Sequence, residues 1–278
     1  MRNKRYCAFF YGDILGYREL LRNKSVSDIE KVLRDSLSDV KNILNARQSD
    51  LDKRKMSLAG DTKDIAKIFQ WSGEGQFHHY FAFDTLLVFL SDLSRRGLEM
   101  KLTDFMLFCS SIYLTLLTRH DIRLRGVVGL TTKYVIDHEL VVFKELIKAY
   151  DLEKSQNWSG IVLDVRRRYL NFASVNFPSE DEFVYYKVPF KQGSREYPVL
   201  NPVNKYTVNF LRENSLSLSA VITRLKEESL QPGLHSDIKA KLENTVPFLR
   251  FCEQHFNRSI EVEQYFGQET KGFNGGVP

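Results

Sequence analysis

Two carboxylates stand alone in apolar, strand-like sequence, and they restrict the possible folds more than any other feature of the chain. Asp13 lies in Phe9-Phe10-Tyr11-Gly12-Asp13-Ile14-Leu15-Gly16-Tyr17, and Asp84 interrupts Tyr80-Phe81-Ala82-Phe83-Asp84-Thr85-Leu86-Leu87-Val88-Phe89-Leu90. An ionised carboxylate inside an apolar strand is costly unless a positive charge compensates it. For two such acids the simplest compensation is a shared divalent cation, whose hard oxygen ligands include carboxylates. That points to phosphate chemistry. Asp13 also suits a helix N-cap and Asp84 a hairpin turn, the structural alternatives for each acid taken singly.

The chain has 278 residues, enough for one large domain or a domain with a helical appendage. Lys and Arg number 40 against 35 Asp and Glu, an excess of five that suits an anionic small molecule as well as nucleic acid. Cys7, Cys109 and Cys252 are far apart in apolar surroundings. They read as reduced, buried thiols of a cytoplasmic protein rather than a disulfide framework or zinc site. The basic N-terminus is followed by an apolar run too short for a signal peptide. Phe105 to Leu117, the longest apolar stretch, is too short and too rich in Ser and Thr for a membrane span and reads as a buried helix.

Periodicity predicts strands over 5–12, 77–83 and 85–90 (or one long strand through both), 122–135, 140–143, 160–165 and 182–188. Helices are expected over 25–45, where Ser27 or Asp28 can cap the start, and over 104–119 and 144–156. Residues 46 to 76 form a polar, glycine-punctuated excursion. The order describes an α/β (α+β) sandwich with one main sheet. A domain over 1–190 is followed by a C-terminal helical pair, 208–229 and 237–255, within 191–266, and by a Gly-rich tail over 267–278.

The run Asp13-Ile14-Leu15-Gly16-Tyr17, the pair of strands around Phe83-Asp84-Thr85, Arg125-Gly126-x-x-Gly129 and Ala149-Tyr150-x-Leu152-Glu153 occur in an order that resembles class III nucleotide cyclases. More closely it resembles the pyrimidine cyclases of bacterial anti-phage signalling. The resemblance spans Tyr6 to Asp164. It implies a mostly antiparallel central sheet flanked by helices and a homodimer with composite active sites. It also implies two Mg²⁺ or Mn²⁺ ions held by Asp13, the Ile14 carbonyl and Asp84. The implied reaction converts UTP or CTP to 3′,5′-cyclic UMP or CMP and pyrophosphate, a second messenger in antiviral defence.

The chain also departs from that pattern. Ile147 and Asp151 stand where ordinary adenylyl and guanylyl cyclases carry the Asn and Arg that stabilise the transition state, and Phe143-Lys144 replaces a Gly-Pro pair of the pyrimidine branch. Another cation must then balance the phosphate charge. Arg125 is the candidate, with Lys144 and Lys148 behind it, while Tyr80 is a candidate to contact the pyrimidine base and Tyr150 and Lys144 are candidates to bind the nucleotide. Arg125 is equally suited to a structural ion pair, and Tyr150 to the core. His78-His79 cannot share one ion, because adjacent strand residues face opposite ways. Arg166-Arg167-Arg168 reads as a solvated face without the stacking aromatics of nucleic-acid binding. No P-loop, dinucleotide glycine motif or nucleophile elbow is present. A cyclase fold that binds nucleotide without catalysis is the alternative, and a different palm-like phosphoryl transferase is a weaker third.

Overall fold

The computed structural model describes residues 5–17, 25–36, 38–39, 42, 75–82, 84–136, 140–170 and 182–272. The excursion predicted over 46–76 falls almost wholly outside them, as does the end of the 25–45 helix. Strand β1 (Tyr6–Leu15) is buried over nine of its ten residues, as a continuous apolar run in a central strand requires. Helix α1 begins at residue 26, where the Ser25 hydroxyl accepts from the Asp28 N–H at 3.1 Å and donates to the Asp28 carboxylate at 2.6 Å. Ser25 is therefore the cap, and Asp28 answers it three residues on. Strands β2 (Gln76–Ala82) and β3 (Thr85–Leu93) form the expected hairpin around Asp84.

Helix α2 (Arg95–Arg119) starts nine residues before the predicted helix start, capped by the Ser94 hydroxyl, which accepts from the Gly97 N–H at 3.0 Å. Among the described residues it is the one helix long and apolar enough to cross a membrane, and it lies buried in the protein's core. Strand β4 (Arg123–Thr131) is followed by the small hairpin β5 (Tyr134–Ile136) and β6 (Val141–Phe143), so the predicted 122–135 strand is divided in two. Helix α3 (Glu145–Ser155) and strand β7 (Ile161–Asp164) follow as expected.

Strands β8 (Phe183–Phe190) and β9 (Gly193–Leu200) pair as a hairpin, giving a seven-stranded sheet of order β2-β3-β1-β4-β7-β9-β8. Among the described strands, only β4 and β7 run parallel. Sequence reading missed β9. Its first half is polar and exposed, it carries Pro198, and it meets β7 only through Val199 opposite Val162, so neither alternation nor apolarity marks it. The expected boundary after residue 190 falls in the turn of this hairpin, and β9 beyond it belongs to the sheet.

The first four strands, with α1 and α2, follow the β-α-β-β-α-β order of a split β-α-β, or ferredoxin-like, arrangement. Alternation along β1 sends Ala8, Phe10 and Ile14 to the α2 face and Cys7, Phe9 and Tyr11 to the α3 face. Gly126 and Gly129 leave room for the rings of Phe10 and Phe9, which lie across them. Beyond the sheet come α4 (Lys205–Glu213), α5 (Leu218–Ser229) and α6 (Ser236–Gly272), three helices where a pair was expected. The 208–229 pattern breaks at Asn214 and Ser215, where Ser215 takes a positive φ of 54°. Leu225, Leu242 and Phe248 share one continuous core with α2 and the sheet. Of the predicted tail, residues 267–272 extend α6, and the rest lies outside the described residues.

Candidate active site at the end of the central strand

Asp13 lies between Thr85 of β3 and Arg125 of β4, on the face covered by α3. Asp84 occupies the β2–β3 turn, and its backbone carbonyl accepts the Ile14 N–H at 2.7 Å. Antiparallel pairing of β1 with β3 therefore brings the two distant acids to neighbouring backbone positions at one end of the sheet. The Asp84 carboxylate is partly exposed and accepts a long 3.4 Å bond from the Thr85 hydroxyl.

Asp13 itself is 5% exposed and belongs to a buried ion network. The Arg125 guanidinium, also buried, donates to the Asp13 carboxylate at 3.2 Å and to the Gln156 carbonyl at 3.0 Å, and its Nε donates to the fully buried Glu153. Lys154 donates to the other Asp13 oxygen at 3.2 Å and lies 3.6 Å from Glu153 Oε2. The Gln156 side chain ties the network to the strand, donating to the Gly126 carbonyl at 3.1 Å and accepting from the Trp158 indole at 2.8 Å.

Burial pushes the Glu153 carboxyl up to about 7; the neighbouring Asp13 charge adds to this, while Arg125 and Lys154 oppose it. Burial alone would lower the Lys154 ammonium, but the Glu153 and Asp13 carboxylates outweigh it and hold its pKa above the ordinary value. On the same face Tyr11 is raised to about 12, chiefly by burial and then by the Glu153 charge, so at neutral pH it is a phenol.

Among the described residues, no group of three or more His, Cys, Asp or Glu side chains is arranged to hold a metal ion. Asp84 suits a hard cation, since among the described residues only the Thr85 hydroxyl bonds its carboxylate. Asp13 suits one by exchange: both its oxygens carry protein cations, and a dication there has to displace the Lys154 ammonium. The Lys154 side chain is 38% exposed and can turn out to water, whereas Arg125 is locked by three partners. The positive charge demanded by a lone acid in β1 is thus already supplied by the chain.

Tyr80 stands on β2, its ring edge-on to Phe89 at 5.8 Å on the same face as Asp13. Tyr150, half exposed on α3, meets Tyr11 edge-on at 6.3 Å, and the Lys154 ammonium lies 5.6 Å from its ring. Tyr150 therefore borders the acids through Lys154, while the Tyr80 ring packs toward Phe9, farther along the same face. Lys144 does not border them, because it precedes the first turn of α3 while Glu153 lies in its last, about 14 Å away at 1.5 Å per residue. Lys148 is likewise turned away, donating to Asp164 at 2.7 Å.

Sequence reasoning missed Lys154 and Gln156 as neighbours of Asp13, and Glu153 as the partner of Arg125. One signal was present. A lone Arg in an apolar strand needs a carboxylate as much as a lone Asp needs a cation, and Glu153 shares a helix face with Ala149, one turn before it. No protein-family model matches this chain, and no curated protein matches its sequence.

Proposed function

We propose that the protein is a metal-dependent nucleotide cyclase that converts UTP or CTP to 3′,5′-cyclic UMP or CMP and pyrophosphate, acting in the cytoplasm as the source of an anti-phage second messenger. The observation that carries this reading is the meeting of Asp13, at the end of the first strand, with Asp84, in the turn between the second and third, through the Ile14–Asp84 backbone bond. Two acids at one end of a split β-α-β sheet are suited to hold two cations and a triphosphate.

Asp13, the Ile14 carbonyl and Asp84 would hold the two Mg²⁺ or Mn²⁺ ions. When bound, such ions lower the pKa of an attacking 3′-hydroxyl and neutralise departing pyrophosphate. Arg125 fixes the Asp13 carboxylate from behind, and Tyr80 and Tyr150 offer ring faces and hydroxyls to a pyrimidine. A homodimer is supported by exposed apolar side chains on α3 and the β5–β6 hairpin: Tyr150, which borders the acids, and Ile147, Leu140 and the paired Val135 and Val142 toward the other end of the sheet. A second copy would cover them.

The saturation of both Asp13 oxygens by Arg125 and Lys154 favours a second reading, a cyclase-like fold that binds nucleotide without turning it over. Incubation with each ribonucleoside triphosphate and Mn²⁺, with products identified by mass, separates the two. The enzyme reading predicts a cyclic pyrimidine nucleotide that disappears in Asp84→Ala, and Mn²⁺ binding that tightens in Lys154→Met. If wild type yields no cyclic product while Asp13→Asn binds nucleotide equally well, the second reading stands and the first is abandoned.

A further inference from the structure

At the opposite end of the sheet, about 23 Å from Asp13 at 3.3 Å per residue along β1, a cleft of about 370 Å³ opens beside Tyr6. It lies outside the carboxyl ends of the parallel strands β4 and β7, the place where open sheets leave a ligand crevice. Its volume falls within the roughly 300 to 1,000 Å³ of small-molecule sites. The walls carry Lys148, Arg166 and Arg168 against Glu145 and Asp164, one net positive charge.

These charges are not equivalent. Asp164 accepts from Lys148 at 2.7 and 2.8 Å, and Glu145 accepts from the Thr131 hydroxyl at 2.8 Å, so each acid keeps lone pairs for a ligand hydroxyl. Arg168 is held by Tyr169, whose hydroxyl accepts from it at 2.9 Å and whose ring it overlies at 4.7 Å, which among the described residues leaves most of its donors unused. Arg166 is exposed, and among the described residues its guanidinium has no hydrogen-bond or ion-pair partner. The first turn of α3 also opens at this cleft, and no side chain caps it.

We infer that this cleft binds a small phosphate monoester bearing vicinal hydroxyls, a sugar phosphate or nucleoside monophosphate, with the phosphate on Arg166 and Arg168 and the hydroxyls on Glu145 and Asp164. Two guanidinium groups match phosphate oxygens, and two carboxylates accept from a diol. The site is separate from Asp13 and Asp84 and does not depend on their chemistry.

Isothermal titration of the full chain with ribose 5-phosphate, uridine 5′-monophosphate and inorganic phosphate, without divalent cations, tests this. One organic phosphate is expected to saturate a single site more tightly than inorganic phosphate, and the tighter of the two identifies the class. Arg166→Glu should weaken it by about tenfold or more, the loss of one charge-assisted contact, while Arg166→Lys retains most of it. Asp84→Ala should leave it unchanged. The assignment is overturned if neither organic phosphate gives saturable binding at millimolar concentration, if Arg166→Glu leaves binding intact, or if Asp84→Ala abolishes it.

Discussion

Replacing Arg125 by Met tests the ion network most directly, because the guanidinium is buried between two buried carboxylates. It has a long apolar stem that Met can imitate, so the perturbation is chiefly the loss of charge and donors. At the 3.2 Å contact with Asp13, Coulomb attraction amounts to about 5 kcal/mol at an effective dielectric of about 20. Desolvating the ions offsets much of that, and the measured cost of removing one partner from a buried pair is about 3 to 5 kcal/mol. Arg125→Met also orphans the Gln156 carbonyl and leaves Glu153 facing only Lys154. With a urea slope of roughly 3 kcal/mol per M, the unfolding midpoint should fall by about 1 to 1.7 M. Adding Glu153→Leu removes the orphaned acid, and the double variant should regain about 2 kcal/mol, a favourable coupling in the mutant cycle. A single variant within about 1 kcal/mol of wild type, or a double variant whose loss equals the sum of the singles, would refute the account of a mutually compensating network.

Glu153 also predicts a pH dependence. Its folded pKa of about 7 lies above the ordinary 4.5, so the folded state holds a proton that the unfolded chain releases. That contribution is complete below the ordinary value and lost as pH rises through 7. Wild type should therefore lose stability relative to Glu153→Gln between about pH 5 and pH 8, by a few kcal/mol in urea titrations; a flat difference would contradict the assignment. Gly126→Val should destabilise by about 1 to 3 kcal/mol or more in thermal unfolding, because a Cβ there would lie 2.6 Å from both the Phe10 ring and the Tyr11 carbonyl oxygen. An unchanged melting temperature would show that β1 and β4 can part more easily than their buried packing implies.

The sequence by itself determined the α/β class, the central strand buried on both faces and the buried α2 helix, because each is written in local periodicity and in where polar residues interrupt it, while the hairpin around Asp84 was one of two readings and the pairing of β2 with β3 decided it. The sequence also identified Asp13 and Asp84 as residues whose charge needs an explanation, since a lone charge in an apolar run is a local fact about its segment, and it left Arg125 open between a phosphate ligand and an ion-pair partner. Which explanation holds was decided in three dimensions. Asp13 meets Arg125 through strand register, and it meets Lys154 because α3 crosses that face of the sheet. Strand β9 was illegible because its polar, exposed first half carries no apolar alternation, and the shared core of the C-terminal helices because its partners lie far away in sequence. A side chain's chemistry belongs to the residue, but the charge and the space around it belong to neighbours that only folding supplies.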